Sequence, residues 1–203
     1  CGTLFPYTTL FRSRDFLEQI RELPYVLRPA NMAAGLPGAG WRVFNIPIGG
    51  NICVINLLGQ VFMQEIGDNP FRVVDEILAD AKIRTPIIFV DMHAEATSEC
   101  IAMGHYLDGR VTCVAGTHTH VPTADTRVLP QGTAYVTDVG MVGGRNSVLG
   151  RQIKPVLQKF ATGRPARFTV ETEEIVINGV VVEFDTDTGR ATGIERFSRL
   201  WEH

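Results

Sequence analysis

Two apolar, β-branched runs, residues 87–90 and 111–115, each lead into histidine, and this pairing restricts the fold more than any other feature of the chain. The first continues as Val90-Asp-Met-His-Ala-Glu95 and the second as Gly116-Thr-His-Thr-His120. Short runs of this kind read as buried strands of a parallel sheet. Between them, residues 97–107 carry a helical pattern that Thr97 or Ser98 can cap and that Asp108-Gly109 closes. The segment is therefore a strand–helix–strand unit with a right-handed crossover. In open α/β sheets, ligands bind beyond the carboxyl ends of the strands, where His93, His118 and His120 fall. His118 and His120 are two apart, so in an extended segment both side chains leave the same face. A lone histidine at such a position is more often an ordinary loop residue. Here three of the five histidines gather at one sheet edge, the way a protein builds a site for a borderline transition metal.

With 203 residues, 45% of them apolar, the chain can bury one sizeable core. A net charge of −3 supplies no basic stripe and argues against a nucleic-acid clamp, though a metal can provide positive charge locally for a small phosphorylated substrate. No apolar run approaches the roughly 20 residues that span a bilayer, and residues 4–11 make no signal peptide, being broken by Pro6 and without a basic lead. Cys53 and Cys113 lie within apolar strand patterns and read as buried thiols, which suits a cytoplasmic protein.

Further elements come from pattern. Residues 15–23 have helical spacing up to Pro24, and 27–38 form a Pro/Gly-rich loop. Residues 41–47 and 51–57 look like strands of a hairpin turning at Gly49-Gly50. Asn69-Pro70 caps and opens a helix reaching about residue 81, with Phe71, Val74, Ile77 and Leu78 inward. Residues 128–129 and 134–137 suggest strands, and 153–160 a helix with Pro155 in its first turn. The C-terminal stretch reads as antiparallel strands at 167–170, 174–177, 180–184 and 192–197, with turns at Asn178-Gly179 and 185–189.

The run Thr3-Leu-Phe-Pro-Tyr-Thr-Thr-Leu-Phe-Arg-Ser13 fits neither a helix nor an alternating strand. It matches, residue for residue, the in-frame translation of a common short-read sequencing adapter. Fusion scars are set aside in fold reasoning, so residues 1–13 are read as non-native and 14–203 as one domain.

From Arg14 to Leu200 the chain resembles the bacterial YmdB-like metallophosphoesterases of the calcineurin-like superfamily. The resemblance rests on Leu27-Arg-Pro-Ala-Asn31, Asn56-Leu-Leu-Gly59, Asp68-Asn-Pro-Phe71, His93-Ala-Glu-Ala-Thr-Ser-Glu99, Gly104-His-Tyr-Leu-Asp-Gly-Arg110, Gly116-Thr-His-Thr-His-Val121 and Tyr135-Val-Thr-Asp-Val-Gly-Met141, in that order. It implies an α/β metallophosphoesterase sandwich with an antiparallel C-terminal sheet, acting on 2′,3′-cyclic nucleotides through two metal ions, iron or manganese. By resemblance His93 and His118 match ligands of one metal and His120 a ligand of the other. The family's remaining ligands (an Asp, a bridging Glu with an Asn, and an Asn followed by the catalytic His) stand in motifs this sequence does not contain. The expectation is thus a fold missing its first βα units, on the order of 70 residues. It carries with it an unpartnered edge beside the strand at 87–90 or 111–115, and no catalytic residue of its own. The implied partner is a small nucleotide, not nucleic acid or a membrane, and a homo-oligomer is compatible with the resemblance.

Other polar residues read more plainly. Asp91 suits equally a role orienting a ligand or a strand-end cap. Glu95 and Glu99 read as cap or helix-surface groups, His105 as structural or exposed, and Asp138 as a brace for the site. Two alternatives stand beside the dinuclear reading: a mononuclear three-histidine metal hydrolase, with Asp91 or Glu95 as base, and a non-catalytic regulatory protein on the same fold.

Overall fold

The computed structural model describes residues 19–46, 50–63 and 67–201. The adapter-like run, the start of the 15–23 helix and His203 lie outside the described residues. The described part of that helical segment is a single 3₁₀ turn, Ile20–Glu22.

The strands, in chain order, are β1 (Trp41–Asn45), β2 (Asn51–Leu58), β3 (Ile88–His93), β4 (Cys113–Thr117), β5 (Arg127–Val128), β6 (Ala134–Val136), β7 (Val142–Gly144), β8 (Ile175–Phe184) and β9 (Ala191–Leu200). The helices are α1 (Pro70–Arg84), α2 (Thr97–Leu107) and α3 (Ile153–Thr162). Six strands make one sheet in the order β1-β2-β3-β4-β6-β5, and β7-β8-β9 make a second. Within the first, β2, β3, β4 and β6 run parallel, while β1 and β5 close its edges antiparallel. β2-α1-β3 and β3-α2-β4 are successive strand–helix–strand units, so four parallel strands end along one edge. Both histidine-bearing strands are paired on both sides, which corrects the expectation of an unpartnered edge beside them. β2 and β6 occupy those places.

Side-chain alternation assigns the layers. Ile88, Val90 and Met92 of β3 and Val114 of β4 pack with Val74, Ile77 and Leu78 of α1 and Cys100, Met103 and Leu107 of α2. The odd-numbered positions, Phe89 on β3 with Cys113 and Ala115 on β4, face Val182, Ala191 and Ile194 of the second sheet. Phe89 meets Phe184 edge-on at 6.0 Å between ring centroids. The result is helices on a mixed sheet on an antiparallel sheet, the α/β sandwich the sequence implied.

Local chemistry accounts for most boundaries. The Asn69 side chain accepts from the Phe71 and Arg72 N–H groups, and Pro70 starts α1. α2 begins without a side-chain cap: its cap position is Ala96, so Thr97 is the first helical residue, not the cap. Several C-terminal expectations fail. Asn178-Gly179 is not a turn; it lies inside the continuous strand β8, paired to Ser198 and Phe197 of β9. Residues 167–170 make only an isolated bridge, Val170 to Arg151, and the pairing expected there is taken by β7. The 185–189 turn is present, with the Asp185 carboxylate accepting from Asp187 and Thr188 N–H. Cys53, Cys100 and Cys113 are buried free thiols, and among the described residues no helix is long and apolar enough to cross a membrane.

Candidate metal centre

Asn56, Asp91 and Thr117 stand on three adjacent strands and share the face turned from the helices. Register places Asn56 opposite Asp91, and His93 opposite Thr117. A continuous polar chain results. The Asn56 amide donates to Asp91 Oδ2 at 3.0 Å, and the Thr117 hydroxyl donates to Asp91 Oδ1 at 2.8 Å. The same hydroxyl lies 3.0 Å from His93 Nδ1. Because its proton is committed to the carboxylate, the hydroxyl accepts from Nδ1–H, which leaves His93 Nε2 with its lone pair. Burial lifts the Asp91 carboxyl to about 6 against the lowering effect of the Thr117 hydroxyl.

His93 Nε2 faces His118 Nδ1 at 3.1 Å, with the rings edge-to-face at 4.9 Å. The other nitrogen of His118, Nε2, lies 2.6 Å from the Glu95 carboxylate, which requires it to carry a proton. Both outward nitrogens therefore hold hydrogens, and both inward nitrogens present lone pairs to one another. Lone pairs opposed at that distance repel unless a proton or cation lies between them. Burial pushes His93 down to about 4, and the nearby His118 and His120 add to the effect, which disfavours the proton.

The segment after β4 is not extended, which corrects the geometric premise for His118 and His120. Both take positive φ, 137° and 68°, a conformation costly for residues with a Cβ and common at functional sites. Asp138 holds this turn. Buried just past β6, its carboxylate accepts from Thr119 N–H and Gly140 N–H, both at 2.7 Å. It is the brace expected from the sequence. Gly116 lets β4 approach residue 137, for a Cβ there would fall 1.7 Å from the Thr137 carbonyl oxygen.

The fold thus brings His93 and His118 together, and leaves His120 outside that pair. His120 Nδ1 is buried without a hydrogen-bond partner among the described residues, a nitrogen able to offer its lone pair or its proton. Among the described residues, no group of three or more His, Cys, Asp or Glu side chains is arranged to hold a metal ion. The donor set nonetheless suits a borderline cation: two inward imidazole nitrogens separated as neighbouring ligands on one metal are, and a third imidazole with an unsatisfied nitrogen. Of the two readings of His105, structural or exposed, the structure shows the second: it is exposed on α2. Glu99 is not a surface group: it is buried, and its carboxylate accepts from Gln60 and Val61 N–H beyond β2. Sequence reasoning missed Asn56 and Thr117. Thr117 alternates with Ala115 along β4 and Asn56 pairs with Asp91 across β2 and β3, relations recognisable only once the strand register is known.

Solved structures share this architecture. A protein from Thermus thermophilus superposes with a TM-score of 0.80 at 36% identity, over 90% of this chain and 71% of that one. A phosphatase from Mycoplasma pneumoniae gives 0.79 at 35% identity, over 90% and 67%. An α/β sandwich of this order, with histidines at the carboxyl edge and a phosphatase among its structural neighbours, is that of a phosphoester hydrolase of the metallophosphoesterase kind.

Sequence comparison narrows the class. The family described as YmdB-like protein matches residues 8–197, beginning inside the adapter-like run. The 2′,3′-cyclic-nucleotide 2′-phosphodiesterase of Bacillus subtilis is 46% identical over 183 residues, 90% of this chain and 69% of that protein. A putative phosphatase/phosphodiesterase of Mycoplasma pneumoniae is 37% identical over 193 residues, 92% of this chain and 67% of its own length. The chain belongs to the YmdB-like family.

Proposed function

We propose that this chain carries the histidine half of a two-metal phosphodiesterase that opens 2′,3′-cyclic nucleotides to 3′-nucleotides. The observation that carries the reading is the facing pair His93 Nε2 and His118 Nδ1 at 3.1 Å, each oriented by a partner on its other nitrogen. His93 and His118 would hold one metal, and His120, with its unpartnered Nδ1, would contribute to a second. The name of the Bacillus subtilis relative supports the substrate class, imidazole donors suit iron, and the family resemblance implies iron or manganese. Bound metals in such enzymes clamp the phosphate and supply positive charge that acidifies water. The residues of this chain orient that assembly: Asp138 fixes the turn bearing His118 and His120, and β3 and β4 fix His93 against it. In the reaction, water adds at phosphorus as the bond to the 2′-oxygen breaks, and a proton is delivered to the leaving oxygen. No histidine of this chain is assigned that delivery. The substrate is a small nucleotide, not a nucleic acid or a membrane. Residues 14–203 act as one domain, and the buried thiols favour a reducing, cytoplasmic setting.

Three neutral imidazoles bring no negative charge to screen two cations held side by side. The 203-residue chain is therefore expected to bind at most one divalent metal and to show no measurable hydrolysis of 2′,3′-cyclic AMP. Supplying the Asp, Glu-Asn and Asn-His motifs upstream should bring activity, and His120→Ala should then abolish it. Both chains are compared as monodisperse, folded samples with metal content measured. Turnover by the 203-residue chain at the rate of the extended one would overturn the two-metal reading.

A further inference from the structure

We propose that Asp91 and Thr117 are positioning residues that fix the tautomer of His93, Asp91 acting only through the Thr117 hydroxyl. The inference rests on the reading of His93 as a metal ligand. Metal-bound histidines generally donate their second N–H to a carboxylate, a carbonyl or water, which fixes ring orientation and raises ligand basicity. Here the carboxylate does not reach the ring. A threonine hydroxyl stands between, 2.8 Å from Asp91 Oδ1 and 3.0 Å from His93 Nδ1.

The direction of the chain is set by proton supply. Both Asp91 oxygens are acceptors, Oδ2 of the Asn56 Nδ2–H at 3.0 Å and Oδ1 of the Thr117 hydroxyl at 2.8 Å. The hydroxyl must therefore point at Asp91, which makes its oxygen an acceptor toward the ring and assigns the hydrogen to Nδ1. Three strands hold this alignment. Asn56, Asp91 and Thr117 come from β2, β3 and β4, and the Asn56–Asp91 and His93–Thr117 pairs are register partners. A valine at 117 would keep the β-branched shape and remove the acceptor, whereas a serine would keep the acceptor.

The test uses the metal-free 203-residue chain with ¹⁵N-labelled histidine. Imidazole ¹⁵N shifts report which nitrogen of His93 carries the hydrogen, and Mn²⁺ titration then reports affinity. Wild type should hold the hydrogen on Nδ1. Thr117→Val should release His93 to a mixture of tautomers and weaken Mn²⁺ binding about 10- to 100-fold. Thr117→Ser should restore both properties, a rescue that a merely packing role would not give. Asp91→Asn should loosen the tautomer preference while leaving the Thr117 hydroxyl in place, and it provides a second variant should Thr117→Val fail to fold. A His93 tautomer unchanged in Thr117→Val or Asp91→Asn would overturn the inference. A tautomer that shifts as expected, in a protein whose His93 never responds to Mn²⁺, would uphold the relay and refute the metal reading on which it rests.

Discussion

Gly116 cannot carry a side chain without moving the backbone of the neighbouring strand. Its Cβ would meet the Thr137 carbonyl oxygen at 1.7 Å and the carbonyl carbon at 2.6 Å, neither of which can rotate away. Gly116→Ala should cost about 3 kcal/mol or more, read as a lowered urea midpoint with unchanged slope. Asp138→Ala removes both acceptors of the histidine turn and leaves the Thr119 and Gly140 N–H groups without partners. A loss of about 2 kcal/mol is expected, at about 1 kcal/mol for each donor left unsatisfied in this part-buried turn. A stability within experimental error of wild type would show that the turn does not depend on this brace. At this scale the sequence was legible where chemistry was concentrated. His93, His118 and His120 could be singled out because few histidines occur and each follows an apolar run. Thr117 and Asn56 could not, because threonine and asparagine are common in strands and gain meaning only from the register that aligns them with Asp91 and His93.

Elements whose limits are set by local chemistry were readable from the sequence, and those set by distant partners were not. α1 illustrates the first group. Asn69 accepts from two N–H groups at its start, so Asn69→Ala should cost about 1 kcal/mol without altering the histidine pair, measured by thermal unfolding and imidazole shifts. α1 is also tied to α2 by Asp75, which accepts from Tyr106 and forms an ion pair with Arg110 at 2.5 Å. The Tyr106 and Arg110 hydrogen bonds hold the Asp75 carboxyl below the usual carboxylate range. A carboxyl with a depressed folded-state value adds stability that is complete above its unfolded value of about 4 and disappears as pH falls through the folded one. Asp75→Asn should therefore lower the melting temperature slightly at pH 7 and have less effect near pH 3. Equal effects at both pH values would contradict the ion-pair account. β8 illustrates the second group. Asn178-Gly179 has turn composition, yet pairing with Ser198 and Phe197 holds it extended, and the phenyl ring of Phe197 lies 2.8 Å from where a Cβ on Gly179 would sit. Tertiary pairing overrides the local preference there.

The two sheets of the whole molecule share one interface, and Phe89 and Phe184 meet across it. Phe184→Ala should cost about 2 kcal/mol, below the range for a fully enclosed phenylalanine because Phe184 is only half-buried. A cooperative single transition with that loss would show the sheets unfolding together, and two separated transitions would contradict it. The sandwich could be anticipated from motif order, but the central placement of β3 and β4 could not. Strand order in a sheet depends on which neighbours the remaining chain supplies, and hydrophobic pattern does not encode it. That central placement sets His93, the last residue of β3, beside His118, the residue just past β4, with their nitrogens facing, the arrangement on which the functional reading depends. The most direct test is a titration of Mn²⁺ into metal-free, ¹⁵N-histidine-labelled protein, followed by paramagnetic broadening of the imidazole resonances. Broadening confined to His93, His118 and His120 at the first equivalent, with the exposed His105 on α2 unaffected, is the predicted result. Broadening of His105 to the same extent as His93 and His118, or none at His93 and His118, would contradict a metal centre between β3 and β4.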